Sequence, residues 1–283
     1  MSRLFVSTGT MVARENGYDY VRALGEIKRL AAQGLCDGLE LMMLKFYYDK
    51  RESVVSAVRD FGVNAGVIHC EKDIGTMLSD AGGLLERGET HDAEAMINDA
   101  KDLFRYNCTF AEKLHINRMV LHLWGGYSSD SHIEYNIESY CALREIAAEY
   151  GVRLLVENIP SRIYDPRSNW KKLLPYLGDG GLIFDTRFGM LHRQIEGILL
   201  DSAITEKIEH VHISDFAGTY RQFKALRPIL HPGEGSVDFK KTAALLKKTG
   251  YNGTITLESP VVDGEDLDMA KLADTLRFIR ETF

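Results

Sequence analysis

The sequence predicts a (β/α)8 barrel. Three observations carry that expectation. Strand-like and helix-like segments alternate without interruption along all 283 residues. The strand-like runs are continuously apolar, as in a parallel sheet covered on both faces. Six of these runs stop on an ionisable residue: VNAGVIH at His69, MVLH at His122, RLLVE at Glu157, GLIFD at Asp185, IEHVH at His212 and TITLE at Glu258. Burying a charge without a partner costs several kcal/mol, so packing alone does not explain six such stops.

The elements follow in order. Strands are expected at residues 4–8, 36–42, 63–69, 117–123, 152–157, 181–185, 207–213 and 253–258. Helices are expected over 17–33, 51–61, 91–115, 132–150, 169–177, a weak one near 193–203, 238–249 and 266–282, from apolar residues at helical spacing. Gly62, Gly151 and Gly250 each follow a helix and precede a strand, where glycine supplies the left-handed C-cap. The polar, glycine-containing stretch from Glu71 to Thr90 reads as a long loop at the mouth of the barrel and a candidate lid. Neither a linker nor a composition shift interrupts the rhythm, so one domain over 1–283 is expected. An open doubly wound sheet is the rival, but it gives no reason for charged ends on six strands.

Composition narrows the function. The chain is 45% hydrophobic and 27% charged, with a net charge of −7, which favours solubility and disfavours general attraction to phosphate backbones. Nucleic acid is therefore not the expected partner. The four cysteines, Cys36, Cys70, Cys108 and Cys141, form no CxxC pair and read as reduced, in a cytoplasmic protein. The N-terminal apolar run is too short for a signal peptide, and no run approaches the eighteen apolar residues of a membrane span.

In such a barrel, residues at the C-terminal ends of the strands share one mouth. Alternation along each strand puts Val67 on the face of His69, Val120 on that of His122, Ile183 on that of Asp185 and Thr256 on that of Glu258. Two glutamates and an aspartate crowded together repel and take up protons unless a cation neutralises them. Mostly hard oxygen donors with one imidazole suit Mn²⁺ first, with Mg²⁺, Co²⁺ or Zn²⁺ as alternatives. His69 and His122 beside Glu157 offer a second, nitrogen-rich position; otherwise they hydrogen-bond substrate or the site wall.

At this point the chain resembles the xylose-isomerase-like TIM-barrel superfamily, which includes ketose 3-epimerases, sugar isomerases, inosose and dehydroshikimate dehydratases, and type IV AP endonucleases. The motifs that carry the resemblance are GLEL (38–41), VENIP (156–160), FDTRFGMLH (184–192), HVHISD (210–215), HPGEGSVDF (231–239) and TLESP (256–260). The resemblance implies a metal tetrad of Glu157, Asp185, His212 and Glu258, with the two glutamates as acid and base on opposite faces of a sugar or polyol. It places His69 and His122 at a second metal and Glu40 at a strand end that faces substrate. Homodimers are common in the group.

Two departures stand out. The family often has His three residues after the strand-six Asp, where this chain has Phe188; His192 is a candidate substitute one turn on. The endonucleases place an Asp-x-His pair before the GEG motif, where this chain reads Arg227-Pro228-Ile229. Two glutamates among the metal-site candidates, the acidic balance and the missing Asp-x-His pair make an isomerase or epimerase working through an enediolate the leading expectation, while Phe188 counts against a close epimerase match. A dehydratase or an abasic-site hydrolase is the alternative. Trp124 either walls the pocket or packs in the core, and Arg221 with Lys224 either grips an anionic group or is solvated.

Overall fold

In the computed structural model, which describes residues 2–283, eight parallel strands close into a barrel with β8 hydrogen-bonded to β1. They are β1 (Arg3–Ser7), β2 (Gly38–Met42), β3 (Ala65–His69), β4 (Arg118–Leu121), β5 (Arg153–Glu157), β6 (Gly181–Asp185), β7 (Ile208–Ile213) and β8 (Thr254–Leu257). The open-sheet alternative is excluded by that closure.

Inside the barrel, Phe5, Val67, Val120, Leu155 and Ile183 form an apolar layer separate from the larger core between sheet and helices. Burying each such side chain contributes about 1.5–3 kcal/mol. Every one of these residues lies two positions before the end of its run. The next inward position along the strand is Ser7, His69, His122, Glu157 or Asp185, so the apolar layer is the floor of the polar mouth. Asp185 and His212 are direct register partners on β6 and β7.

The outer ring begins with α1 (Tyr20–Ala32), α2 (Arg51–Phe61), α3 (Asp73–Glu86), α4 (Thr90–Leu114) and α5 (Ile133–Glu149). It continues through α6 (Pro166–Leu173), α7 (Thr186–Leu191), α8 (Ile195–Leu199), α9 (Ser202–Thr205), α10 (Phe239–Lys248) and α11 (Met269–Thr282). A two-stranded hairpin, β9 (Val262–Asp263) with β10 (Asp266–Leu267), precedes α11. Gly62, Gly151 and Gly250 have φ of 66°, 67° and 77°, the left-handed conformation expected at these turns. Among the described residues no helix is long and apolar enough to cross a membrane.

The Glu71–Thr90 stretch corrects the sequence reading. It is mostly helix α3, which packs against α4 and buries Ile74, Leu78 and Ala81. Its glycines permit close packing. A Cβ on Gly75 would sit 2.2 Å from the His122 carbonyl oxygen, and one on Gly82 would sit 2.8 Å from His132 Cβ. A helix clamped this tightly to the loop after β4 is a wall of the site, not a loose lid.

Candidate metal centre and active site

Four strands deliver four ligand-type side chains to one point. Glu157, Asp185, His212 and Glu258 each offer an atom within 4.8 Å of those of the other three. His212 Nδ1 lies 2.8 Å from Glu157 Oε1 and 3.4 Å from Glu258 Oε1. Asp185 is buried completely; its Oδ1 accepts from the Phe188 N–H at 2.7 Å and so caps α7. Its Oδ2 has no hydrogen-bond partner, and neither does Glu258 Oε1.

The electrostatics of the group are unbalanced. Burial pushes the Asp185 carboxyl up to about 7; Arg187 pulls it back, while Glu157 and Glu258 push it further. Burial opposes charge on His212, but Glu258, Glu40 and Glu157 outweigh it and lift that imidazole well above its ordinary value. Glu157 is likewise held well below the usual carboxylate range by His212 and His122, against its burial. Three carboxylates share one imidazole here, and two of their oxygens are orphaned. Such oxygens are what a divalent cation would satisfy, and the donor set fits one.

A second group adjoins the first. His69, His122 and Glu157 also bring ligand atoms within 4.8 Å of one another. His122 Nε2 is 2.5 Å from Glu157 Oε2, and His69 Nε2 is 3.7 Å from the same oxygen. His69 Nδ1 lies 2.9 Å from the Cys70 carbonyl oxygen, which can only accept. That ring nitrogen therefore carries the proton, and Nε2 keeps its lone pair toward the site.

The other expected residues are placed as follows. Glu40 is fully buried beneath His212, with Oε2 3.1 Å from His212 Nε2 and 2.9 Å from His210 Nε2. It therefore supports His212 from below instead of facing a cavity. Trp124 is also fully buried, and its indole N–H donates to the Pro160 carbonyl. Arg221 donates to the Ser161 and Arg162 carbonyls, which braces the loop after β5. His192 does not replace the family histidine: it is buried, its Nε2 accepts from the Ser161 N–H at 3.2 Å, and it belongs to neither ligand group. His231, buried near Thr275 Oγ1 and the Pro260 carbonyl, is also outside them.

Several positioning residues escaped the sequence reading. Asn158 accepts from the Asp185 N–H at 2.6 Å and donates to the Asp185 carbonyl at 3.1 Å, which fixes the end of β6 against β5. Asp215 accepts from the N–H groups of Phe216, Gly233, Gly235 and Val237 and so holds the GEG loop. Asp130 does the same for Arg162, Ile163 and Tyr164. Asn158 and Asp215 lie within the VENIP and HVHISD motifs, but their backbone partners are not readable from sequence, and Asp130 is only an Asp in a loop.

Two cavities open at this end. One, of about 360 Å³, includes Glu258, Lys72, Arg187 and Arg227. The other, of about 310 Å³, includes His122, Gly125 and Phe223. Larger grooves of about 470 and 540 Å³ lie between outer helices and contain none of the candidate ligands, so we place the chemistry in the smaller pair.

A xylose isomerase-like TIM barrel family profile matches residues 12–282. The chain belongs to this family. The xylose isomerase-like barrel resembles solved structures over its whole length. D-psicose 3-epimerase from Clostridium cellulolyticum H10 matches with a TM-score of 0.71 at 14% identity, covering 99% of each chain. D-allulose 3-epimerase from Methylomonas sp., solved with D-allulose, matches at 0.71 and 15% identity, covering 100% of this chain and 97% of its own. The 3-keto-D-glucoside 4-epimerase from E. coli matches at 0.66 and 15%, covering 99% and 100%. At such identities the likeness is one of fold. Among curated proteins, the uncharacterized protein MJ1614 of Methanocaldococcus jannaschii is 29% identical over 154 residues. That match spans 53% of this chain and 57% of the relative, little more than half its length.

Proposed function

We propose that this protein is a divalent-metal-dependent isomerase or epimerase acting on a sugar, sugar phosphate or polyol. The convergence of Glu157, Asp185, His212 and Glu258, with two orphaned carboxylate oxygens, carries this reading. Family membership and the fold shared with sugar epimerases support it. The four residues would hold the ion, with Mn²⁺ preferred for the oxygen-rich set. When bound, the ion supplies Lewis-acid polarisation of a carbonyl and its neighbouring hydroxyl.

Proton transfer falls to the two glutamates, whose surroundings differ. Glu258 lines the 360 Å³ cavity, its side chain is 8% exposed, and its Oε1 makes no hydrogen bond, although it lies 3.4 Å from His212 Nδ1. Glu258 takes the carbon-bound proton through whichever carboxylate oxygen the ion leaves free, and so generates the enediolate. Both Glu157 oxygens face imidazoles, His212 and His122, and the side chain is 1% exposed. Glu157 is the second proton-transfer group, at the opposite face; because the two rings hold it charged, the proton it returns must first pass to it from one of them. Two carboxylates in unlike environments is the usual arrangement for dividing acid and base roles.

The test is solvent exchange during turnover at saturating Mn²⁺ in D2O, using a panel of free and phosphorylated ketoses. Solvent deuterium should appear at the carbon next to the carbonyl. Glu157→Gln and Glu258→Gln should each lose about 10²–10⁴-fold in rate. Full activity in either variant, or product that retains the substrate hydrogen, would refute the assignment. Loss of water from an inosose would indicate a dehydratase.

A second reading draws on the His69, His122 and Glu157 group, which offers a second cation position of the kind used by phosphodiester hydrolases. Nicking of abasic DNA by metal-loaded protein, with two metals per chain, would favour it.

A further inference from the structure

We infer that the substrate of this site carries a small oxyanion, a phosphate or carboxylate, gripped by Arg187 with Arg227 and Lys72. This deepens the proposed sugar chemistry and rests on it for the identity of the remaining substrate.

Arg187 sits two residues past Asp185, on α7, and is 5% exposed. Its guanidinium lies over the Phe188 ring at 4.5 Å and makes one long hydrogen bond, Nη1 to the Leu226 carbonyl at 3.4 Å. Its Nε has no partner. Among the described residues no carboxylate lies within ion-pair distance of Arg187, Arg227 or Lys72. Some arginines on the outer surface do find one: Arg167 with Asp201 at 2.8 Å, Arg280 with Asp37 at 2.8 Å and Arg153 with Glu209 at 2.5 Å. A buried guanidinium with most of its five donors unused is costly, and it persists where a ligand supplies the missing acceptors.

Three acidic side chains, Glu71, Asp73 and Glu258, line the same cavity as these cations, but none lies within ion-pair distance of Arg187, Arg227 or Lys72. Arg187 lines the 360 Å³ cavity together with exposed Arg227 and Lys72. The acidic groups on its wall are otherwise engaged or buried. Asp73 is paired with Lys45 at 2.6 Å, Glu258 belongs to the ligand tetrad, and Glu71 is 9% exposed. Three cations without a carboxylate partner thus stand at one mouth, in a chain of net charge −7. The planar fork of arginine matches the oxygens of phosphate or carboxylate in bidentate fashion. The volume is that of a small-molecule pocket, and the buried placement of Arg187 suits one end of a compact ligand more than a polynucleotide track. Arg221, the anion-gripping candidate of the sequence, is instead spent on backbone carbonyls.

The test has two arms. In the first, inorganic phosphate is titrated into metal-free protein by calorimetry, so that no ion at the tetrad competes for it. Wild type should bind, Arg227→Met should bind at least 10-fold more weakly, and Arg187→Lys, which keeps the charge and loses the fork, should also weaken. Circular dichroism and retained Mn²⁺ uptake check that both variants fold. In the second arm, Mn²⁺-loaded protein is offered a neutral ketose, the same ketose as a terminal phosphate ester, and the corresponding sugar acid. Wild type should prefer one anionic form by at least 10-fold, and which one it prefers separates phosphate from carboxylate. Arg227→Met should erase that preference. Equal handling of neutral and anionic forms, phosphate affinity unchanged in both variants, or tighter binding of abasic duplex DNA than of any anionic ketose would each overturn the inference. Turnover of ketoses without anion preference would leave the reaction standing and remove the anion pocket. Phosphate binding lost in the variants, with no ketose turned over, would do the reverse.

Discussion

Glu40 and His212, 172 positions apart in the chain, meet at the centre of the barrel, with His212 Nε2 3.1 Å from Glu40 Oε2. The other ring nitrogen, Nδ1, faces Glu157 and Glu258. When Nε2–H donates to Glu40, the Nδ1 lone pair is presented to the ligand cluster. A carboxylate behind a ligating histidine fixes both its tautomer and its orientation. His210 adds to the support: its Nε2 sits 2.9 Å from the same Glu40 oxygen and 3.0 Å from Thr256 Oγ1.

Glu40→Leu should therefore weaken Mn²⁺ binding about 10–100-fold, although Glu40 touches neither cavity. Competition against a chelator measures this directly. Glu40→Gln keeps an oxygen acceptor and should recover part of the loss. Equal affinity in wild type and the leucine variant would remove Glu40 from the positioning role.

Asp185 should destabilise the protein when no metal is bound. Its folded pKa is raised from 3.8 to about 7, chiefly by burial. The folded state thus holds a proton that the unfolded chain has released, and stability falls as pH rises through that window. Metal-free Asp185→Asn should consequently melt higher than metal-free wild type at pH 8 and similarly at pH 4. It should also lose the rise in Tm that Mn²⁺ gives wild type. A variant that melts lower than wild type at pH 8 without metal would contradict the charge account.

Gly75→Ala should cost about 1–3 kcal/mol, because the added methyl meets the His122 and Trp124 carbonyl oxygens at 2.2 and 2.9 Å. The strain is delivered to the residue that carries the second ligand group, so metal stoichiometry should be measured with stability. An unchanged Tm would show that α3 can move away, as a lid would.

Asp215→Ala should loosen the GEG loop by removing the acceptor of four backbone N–H groups. Each donor left unsatisfied costs about 1–3 kcal/mol. Faster hydrogen exchange at Gly233, Gly235 and Val237 is the expected readout. Protection equal to wild type would assign the loop's order to other contacts.

The barrel was legible because its signals are local: apolar runs of strand length, glycine caps, and ionisable residues at the stops. The convergence of Glu157, Asp185, His212 and Glu258 was legible because strand alternation and barrel closure leave those side chains one place to go. What escaped depends on contacts between distant segments. The glycines of α3 look like loop formers in sequence, and only the facing His122 and His132 reveal close packing. Helix α7 is six residues long and begins at the strand end itself, with Asp185 as its cap, so no periodicity announces it. That Arg187 makes no ion pair, although its charge is felt by Asp185, depends on packing that no spacing encodes.

The central claim is that four side chains from β5, β6, β7 and the end of β8 hold one divalent ion. Anomalous scattering from crystals grown with Mn²⁺ tests it most directly. A single dominant peak in contact with Glu157, Asp185, His212 and Glu258 is the predicted result. Crystals saturated with Mn²⁺ that show no peak among these four, or a peak only elsewhere on the chain, would contradict it.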